Sequence, residues 1–176
     1  MNYISTRNKE IKVTASQAIA QGISKDGGLF VPESIPTLSN SDFEALQGMN
    51  YVERAAFVLK QFLTDFTDEE IKFCVEGAYK GTFENDSPAP INKISNTANI
   101  LELWHGPTCA FKDLALQLLP YLLTTSAKKV SGGKETVILV ATSGDTGKAA
   151  LEGFCDVENT KIMVFYPSNG VSKMQK

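Results

Sequence analysis

The chain has 176 residues, of which 43% are hydrophobic and 21% charged, with a formal net charge of −3. That is apolar material for one domain, or one and a part, around a sizeable core. The slight acidic balance leaves no electrostatic footprint for nucleic acid, and no stretch is long and apolar enough to span a membrane. Three widely spaced cysteines, Cys74, Cys109 and Cys155, and a single histidine give no metal-ligand spacing, so no metal is expected and the thiols read as reduced. The opening Met1-Asn-Tyr-Ile-Ser-Thr-Arg7 lacks the apolar core of a signal peptide. The expectation is a cytoplasmic protein.

Residues 2–13 are polar and short-patterned. Thr14 or Ser16 can cap a short helix that runs through Gln21, a side-chain oxygen taking a free backbone N–H. Asp26-Gly27-Gly28 makes a tight turn into a strand over 29–31, closed by Pro32. A short helix is expected over 39–46. The clearest amphipathic helix covers 50–66, with Val52, Ala55, Ala56, Leu59, Phe62, Leu63 and Phe66 at helical spacing. Asn50 with Glu53, and Thr67 with Glu70, read as capping boxes at two successive helix starts. The second of these helices runs to about Tyr79, with Ile71, Cys74, Val75 and Ala78 on a core face. Residues 82–99 carry Pro88, Pro90 and several Asn and Ser, a loop and the best boundary. This divides the chain into a mostly helical domain over 1–95 and an α/β domain over 96–176.

A short apolar strand over 100–104 then meets a Gly106-Pro107 turn. Lys112 follows, flanked by Phe111 and Asp113, and an apolar helix begins at Leu114. Pro120 inside this helix removes a hydrogen bond at a cost on the order of 3 kcal/mol, so a kink near Gln117 or an early break is predicted. Residues 128–135 are a polar loop. Thr136-Val-Ile-Leu-Val-Ala141 reads as a buried parallel strand, 148–154 as a short helix and 161–166 as the next strand. That βαβ unit makes an α/β layer with parallel strands.

Two places carry chemistry. A lysine between an aromatic ring and a buried helix loses solvation, which lowers its pKa and frees its amine to form a Schiff base with a carbonyl cofactor. Taken alone, a lysine at a helix start is more often a solvated surface residue. Thr142-Ser-Gly-Asp-Thr-Gly147 sits at the carboxyl end of a parallel strand and opens a helix, the usual ligand position in α/β sheets. Its N–H groups favour an anion, and Thr142, Ser143 and Thr146 add hydroxyls. A phosphate-binding NTPase loop fails on spacing, because Ala149 follows Lys148 where Ser or Thr is needed. A purely structural turn is the plainer alternative. His105 is either an ordinary turn hydrogen-bonder or a residue lining a site.

His105-Gly-Pro-Thr-Cys-Ala-Phe-Lys-Asp-Leu-Ala-Leu-Gln117 closely resembles the lysine segment of threonine synthases, which are fold-type II enzymes using pyridoxal 5'-phosphate. Tyr3-Ile-Ser-Thr-Arg7, Asp26-Gly-Gly-Leu-Phe-Val-Pro32, Ala141-Thr-Ser-Gly-Asp-Thr-Gly147 and the tail from Tyr166 resemble the same family. Asn8, Trp104 and Cys109 stand where the family usually carries other residues. The resemblance implies an α/β fold, a helical N-terminal layer followed by part of the parallel-sheet region. It gives Lys112 the Schiff-base role, with Phe111 and Asp145 against the cofactor, Asp145 near its ring oxygen. Thr142, Ser143, Gly144 and Thr146 would contact the substrate carboxylate, and His105 and Asp113 are candidates to line the site. The implied reaction is that of a carbon–oxygen lyase acting on phosphates: O-phospho-L-homoserine and water give L-threonine and phosphate. Another fold-type II enzyme, such as a threonine dehydratase or an amino-acid phospho-lyase, is the alternative. In the family the phosphate loop and the residue facing the pyridine nitrogen lie further along the chain. Neither is found here, so an N-terminal piece that is inactive alone, a non-catalytic fragment, is expected. Nothing in the pattern fixes an oligomeric state.

Overall fold

A computed structural model describes residues 1–142 and 144–172. The elements in order are β1 (Tyr3–Ser5), β2 (Lys12–Val13), α1 (Ala15–Gln21), β3 (Phe30–Pro32), α2 (Asn40–Gln47), α3 (Tyr51–Phe62), α4 (Asp68–Tyr79), β4 (Ile91–Lys93), β5 (Asn99–Leu101), α5 (Asp113–Leu116), α6 (Leu119–Ser131), β6 (Thr136–Ala141), α7 (Asp145–Gly153) and β7 (Thr160–Phe165). They fall into two compact units. One holds residues 1–76 and 122–134; the other holds 77–121 and the residues from Glu135 onward.

In the first unit, Thr14, Ser39 and Asn50 cap α1, α2 and α3, each in a reciprocal capping box. At the start of α4, Thr67 N donates to Glu70 Oε2 at 2.7 Å and Glu70 N donates to Thr67 Oγ1 at 3.2 Å. Both boxes expected from the sequence are therefore present. The helix α3 stops at Phe62, short of the periodicity, because Leu63 leaves helical space at φ −97° and ψ 58°. Leu63 and Phe66 are nonetheless buried, so the apolar repeat outlives the helix that carried it. The core continues through Ile71, Cys74 and Val75 of α4 and Leu123 and Ala127 of α6. Cys74 Sγ lies 3.6 Å from Thr125 Oγ1, and Lys129 of α6 reaches Glu70 at 2.7 Å and the carbonyl of Asp65 at 2.8 Å.

A three-stranded antiparallel sheet, β2-β1-β3, adds to this helical layer. Strands of two or three residues are too short to show a period of two in the sequence. Pro32 is tolerated because β3 is an edge strand. The turn before β3 depends on Gly28: its N–H donates to Asp26 Oδ1 at 2.9 Å, and a Cβ there would lie 2.1 Å from Ser5 Oγ.

In the second unit, β4 and β5 form an antiparallel hairpin, Ile91 opposite Leu101, within a stretch whose composition reads as loop. The helix after Lys112 breaks as expected. After its one turn, α5 gives way at Gln117 and Leu118 to α6, where Pro120 stands in the first turn and no N–H is needed. Strands β6 and β7 pair in parallel from Thr136 opposite Thr160 to Ala141 opposite Phe165. One face, with Ile138, Val140, Ile162 and Val164, is half-buried. The other face, with Val137, Leu139, Met163 and Phe165, is more than half exposed among the described residues. The parallel pairing follows the sequence expectation, but the strand is buried on one side only. Helix α7 approaches so closely that a Cβ on Gly147 would lie 2.4 Å from Thr142 Cγ2 and 2.9 Å from Val164 Cγ1.

Two substitutions test this packing. Ile71 is 1% exposed, so Ile71→Ala is expected to cost about 2–5 kcal/mol in urea unfolding at unchanged m-value; a loss below 1 kcal/mol, about the scale of an exposed site, contradicts the core assignment. Gly147→Ala is expected to cost about 1–3 kcal/mol by pushing α7 off β7. Gly48→Ala, where the nearest atom is 3.8 Å away, serves as the tolerant control.

Candidate functional site

Lys112 owes its position to the residue after it. Asp113 is 1% exposed, and its carboxylate accepts two hydrogen bonds from Thr108, from the backbone N–H at 2.8 Å and from Oγ1 at 2.6 Å. A buried carboxylate needs such donors, and these fold residues 106–113 into a compact turn. Cys109 N donates to Gly106 O at 3.1 Å and Asp113 N to Ala110 O at 3.0 Å. Gly106 must be glycine, since a Cβ would lie 2.5 Å from both Cβ and Oδ2 of Asp113. Cys109 takes φ 58°, a left-handed conformation that is costly for a residue with a side chain.

At the end of this turn Lys112 opens α5, and its carbonyl accepts from Ala115 N at 3.0 Å and Leu116 N at 2.8 Å. The lysine is half-buried. Its Nζ lies 4.6 Å from the centroid of the Phe111 ring, a cation–π contact on an exposed aromatic. Among the described residues it forms no ion pair. Its backbone is thus fixed by the turn, while its amine touches an aromatic ring and no carboxylate among the described residues.

His105 stands before the turn. Nδ1 lies 2.9 Å from Glu84 Oε2 and Nε2 lies 2.6 Å from Glu102 Oε2. The bond to Glu84, then that to Glu102, raises the His105 pKa above its ordinary value, and the same contact holds the Glu102 carboxyl below its usual range. Glu84, Glu102 and Thr108 are the residues that sequence reasoning missed. Glu84 lies in the stretch read as loop, and only its position 21 residues before the single histidine, closed by folding, gives it a partner.

The second group lies on the β6–α7 connection in the same unit. Thr142 N continues the ladder by donating to Phe165 O at 3.0 Å. Gly144 is buried, has φ 156° and ψ −95°, and donates its N–H to Thr142 Oγ1 at 3.3 Å. Helix α7 starts with no side-chain cap, and its dipole favours an anion at this end. Asp145 is exposed, Thr146 half-buried, and Ser143 lies outside the described residues. The structure therefore joins His105, Phe111, Lys112 and Asp113 in one segment and Thr142, Gly144, Asp145 and Thr146 in another. The link between them is α5 against α7, where a Cβ on Gly153 would lie 2.2 Å from Leu116 O. Among the described residues no group of three or more His, Cys, Asp or Glu side chains could hold a metal, and no helix is long and apolar enough to cross a membrane.

Residues 2–79 match the family model described as threonine synthase N terminus. The whole chain is 40% identical to threonine synthase of Pseudomonas aeruginosa and 33% identical to that of Escherichia coli, covering 37% and 39% of those proteins. Among solved structures, a PLP-bound threonine synthase from Brucella melitensis matches with a TM-score of 0.91 at 38% identity, over 99% of this chain and 37% of that one. Yeast threonine synthase matches with a TM-score of 0.87 at 30% identity, over 99% of this chain and 37% of that one. The chain thus spans well under half the length of the threonine synthases it matches. Sequence and backbone thus agree with the amino-terminal part of threonine synthases along nearly all of the 176 residues.

Proposed function

We propose that this chain supplies the lysine-bearing part of a pyridoxal-phosphate-dependent threonine synthase, which converts O-phospho-L-homoserine and water to L-threonine and phosphate. The observation that carries the reading is the presentation of Lys112: a backbone locked by a buried carboxylate, and an amine with an aromatic neighbour but no ion pair among the described residues. That arrangement fits an aldehyde, because an amine already engaged by a carboxylate would have to be freed before it could condense. A PLP-bound relative of 38% identity supports the choice of cofactor.

When bound, the cofactor supplies an electron sink for negative charge at the substrate carbons. Lys112 would hold it by the aldehyde end, and the Lys112 amine, when not so engaged, would move protons at the α and β carbons of the substrate. Phe111 shields one side of that amine from water. Gly144 and the uncapped start of α7, with the hydroxyls of Thr142, Ser143 and Thr146, orient the substrate carboxylate. Asp145 would point away from that carboxylate, since two like charges at one site repel, and the family resemblance puts it near the cofactor's ring oxygen. Asp113 serves by fixing the turn.

The test is peptide mapping after incubating the chain with pyridoxal 5'-phosphate and borohydride. A single adduct on Lys112, at concentrations that leave other lysines unmodified, is the expected result, and Lys112→Ala removes it. No adduct, or adducts scattered over many lysines, overturns the reading that this chain presents the amine by itself. In a complete enzyme carrying this segment, Lys112→Ala is expected to lower threonine formation by at least about 10³-fold.

A further inference from the structure

His105 is a junction of three stretches of chain. Its Nδ1 faces Glu84 Oε2 at 2.9 Å and Asn85 Nδ2 at 3.2 Å, both in the segment after α4. Its Nε2 faces Glu102 Oε2 at 2.6 Å, just beyond β5. Glu102 in turn accepts from Asn92 Nδ2 of β4 through its other oxygen, at 2.5 Å. The imidazole is 13% exposed and packs beside Trp104, with ring centroids 5.6 Å apart. The next residue is Gly106, whose missing Cβ admits Asp113 and so sets the turn that ends at Lys112.

The proton count decides what this junction does. Two carboxylates on the two ring nitrogens are both satisfied only by the imidazolium, which has two N–H groups. A neutral ring has one. Asn85 is placed to serve that second state, since its amide can donate to an unprotonated Nδ1 where Glu84 cannot.

We propose that His105 is a positioning residue for Lys112 with two states. Protonated, it clamps Glu84 to Glu102 and holds the Gly106–Thr108 turn against the segment after α4. Deprotonated, it keeps Glu102 through Nε2, accepts from Asn85 at Nδ1, and releases the Glu84 carboxylate, which leaves Glu84 tied only by its N–H to the His105 carbonyl at 3.0 Å, so the turn carrying Lys112 loosens. Among the described residues the charged groups facing the ring are Glu84 and Glu102; Asn85 and Trp104 are the uncharged neighbours.

The window follows from the signs. The His105 pKa is raised by its carboxylate partners, so the clamp is complete below the ordinary histidine value and is lost as pH rises through the raised one. The Glu102 pKa is lowered, so on the acid side the Glu102 half of the clamp is lost as pH falls through that lowered value.

The chain carries its own reporters, because His105 is its one histidine and Trp104 its one tryptophan. The imidazole proton resonance and the Trp104 emission, which an imidazolium quenches, should titrate together with a midpoint above about 6.5. Glu84→Gln and Glu102→Gln should each lower that midpoint. Amide exchange of Gly106 and residues 108–112, corrected for intrinsic rate, should accelerate about tenfold across the same midpoint. His105→Gln should exchange at the fast rate on both sides. A midpoint at or below the ordinary value, or protection of those amides that ignores it, overturns the proposal. If His105→Gln does not fold, the coincidence of midpoints in the unsubstituted chain still decides. Any bearing on capture of pyridoxal phosphate rests on the reading of Lys112 above. The exchange measurement does not: a chain never labelled on Lys112 would sink that reading and leave this one to be judged alone.

Discussion

The carboxylate of Asp113, buried and bonded twice to Thr108, is the constraint on which the Lys112 segment depends. An ionised carboxylate removed from water must be compensated, and a buried pair broken on one side is strongly destabilising because the remaining charge stays buried. Here the compensation comes from a residue five positions earlier, so it dictates chain path as well as solvation. Gly106 follows from it, because only a residue without a side chain leaves room for the carboxylate. The left-handed Cys109 follows too, as the chain must reverse between Thr108 and Asp113. Lys112 is then presented by a neighbour whose charge is fully occupied elsewhere.

The second group is organised by a close approach rather than by a charge. Gly147 lets α7 settle onto β6 and β7, with Thr142 and Val164 filling the space a side chain would take. That contact sets the start of the helix at the end of the strand, and Gly144 turns the backbone between them. A polar residue type recurs in both groups for different reasons: Thr108 donates to a buried carboxylate, while Thr142 donates its ladder N–H and accepts from Gly144.

What could be read from the sequence was what has a local cause. Capping boxes at Asn50 and Thr67 need residues three apart, the break near Gln117 needs Pro120, and the parallel pair needs its β-branched runs; all three are present. Lys112 itself was legible as a residue, through its flanks and its family resemblance. Its support was not, because Glu84 and Asn85 meet His105 only after about twenty residues of chain have folded between them. The β2-β1-β3 sheet and the β4-β5 hairpin were hidden for another reason: strands this short have no detectable period, and proline-rich composition around β4 argued for loop. The end of α3 was misplaced because burial and helicity part company at Leu63.

The uncovered side of the β6–β7 pair bears on how such a chain survives its own synthesis. Val137, Leu139, Met163 and Phe165 form a greasy wall, and among the described residues each strand of this two-stranded sheet also keeps one unpaired edge. Apolar surface next to open backbone donors and acceptors is what holdase chaperones bind and what seeds inclusion bodies. While this wall is bare, the β6–β7 pair therefore offers apolar side chains and unpaired strand edges side by side.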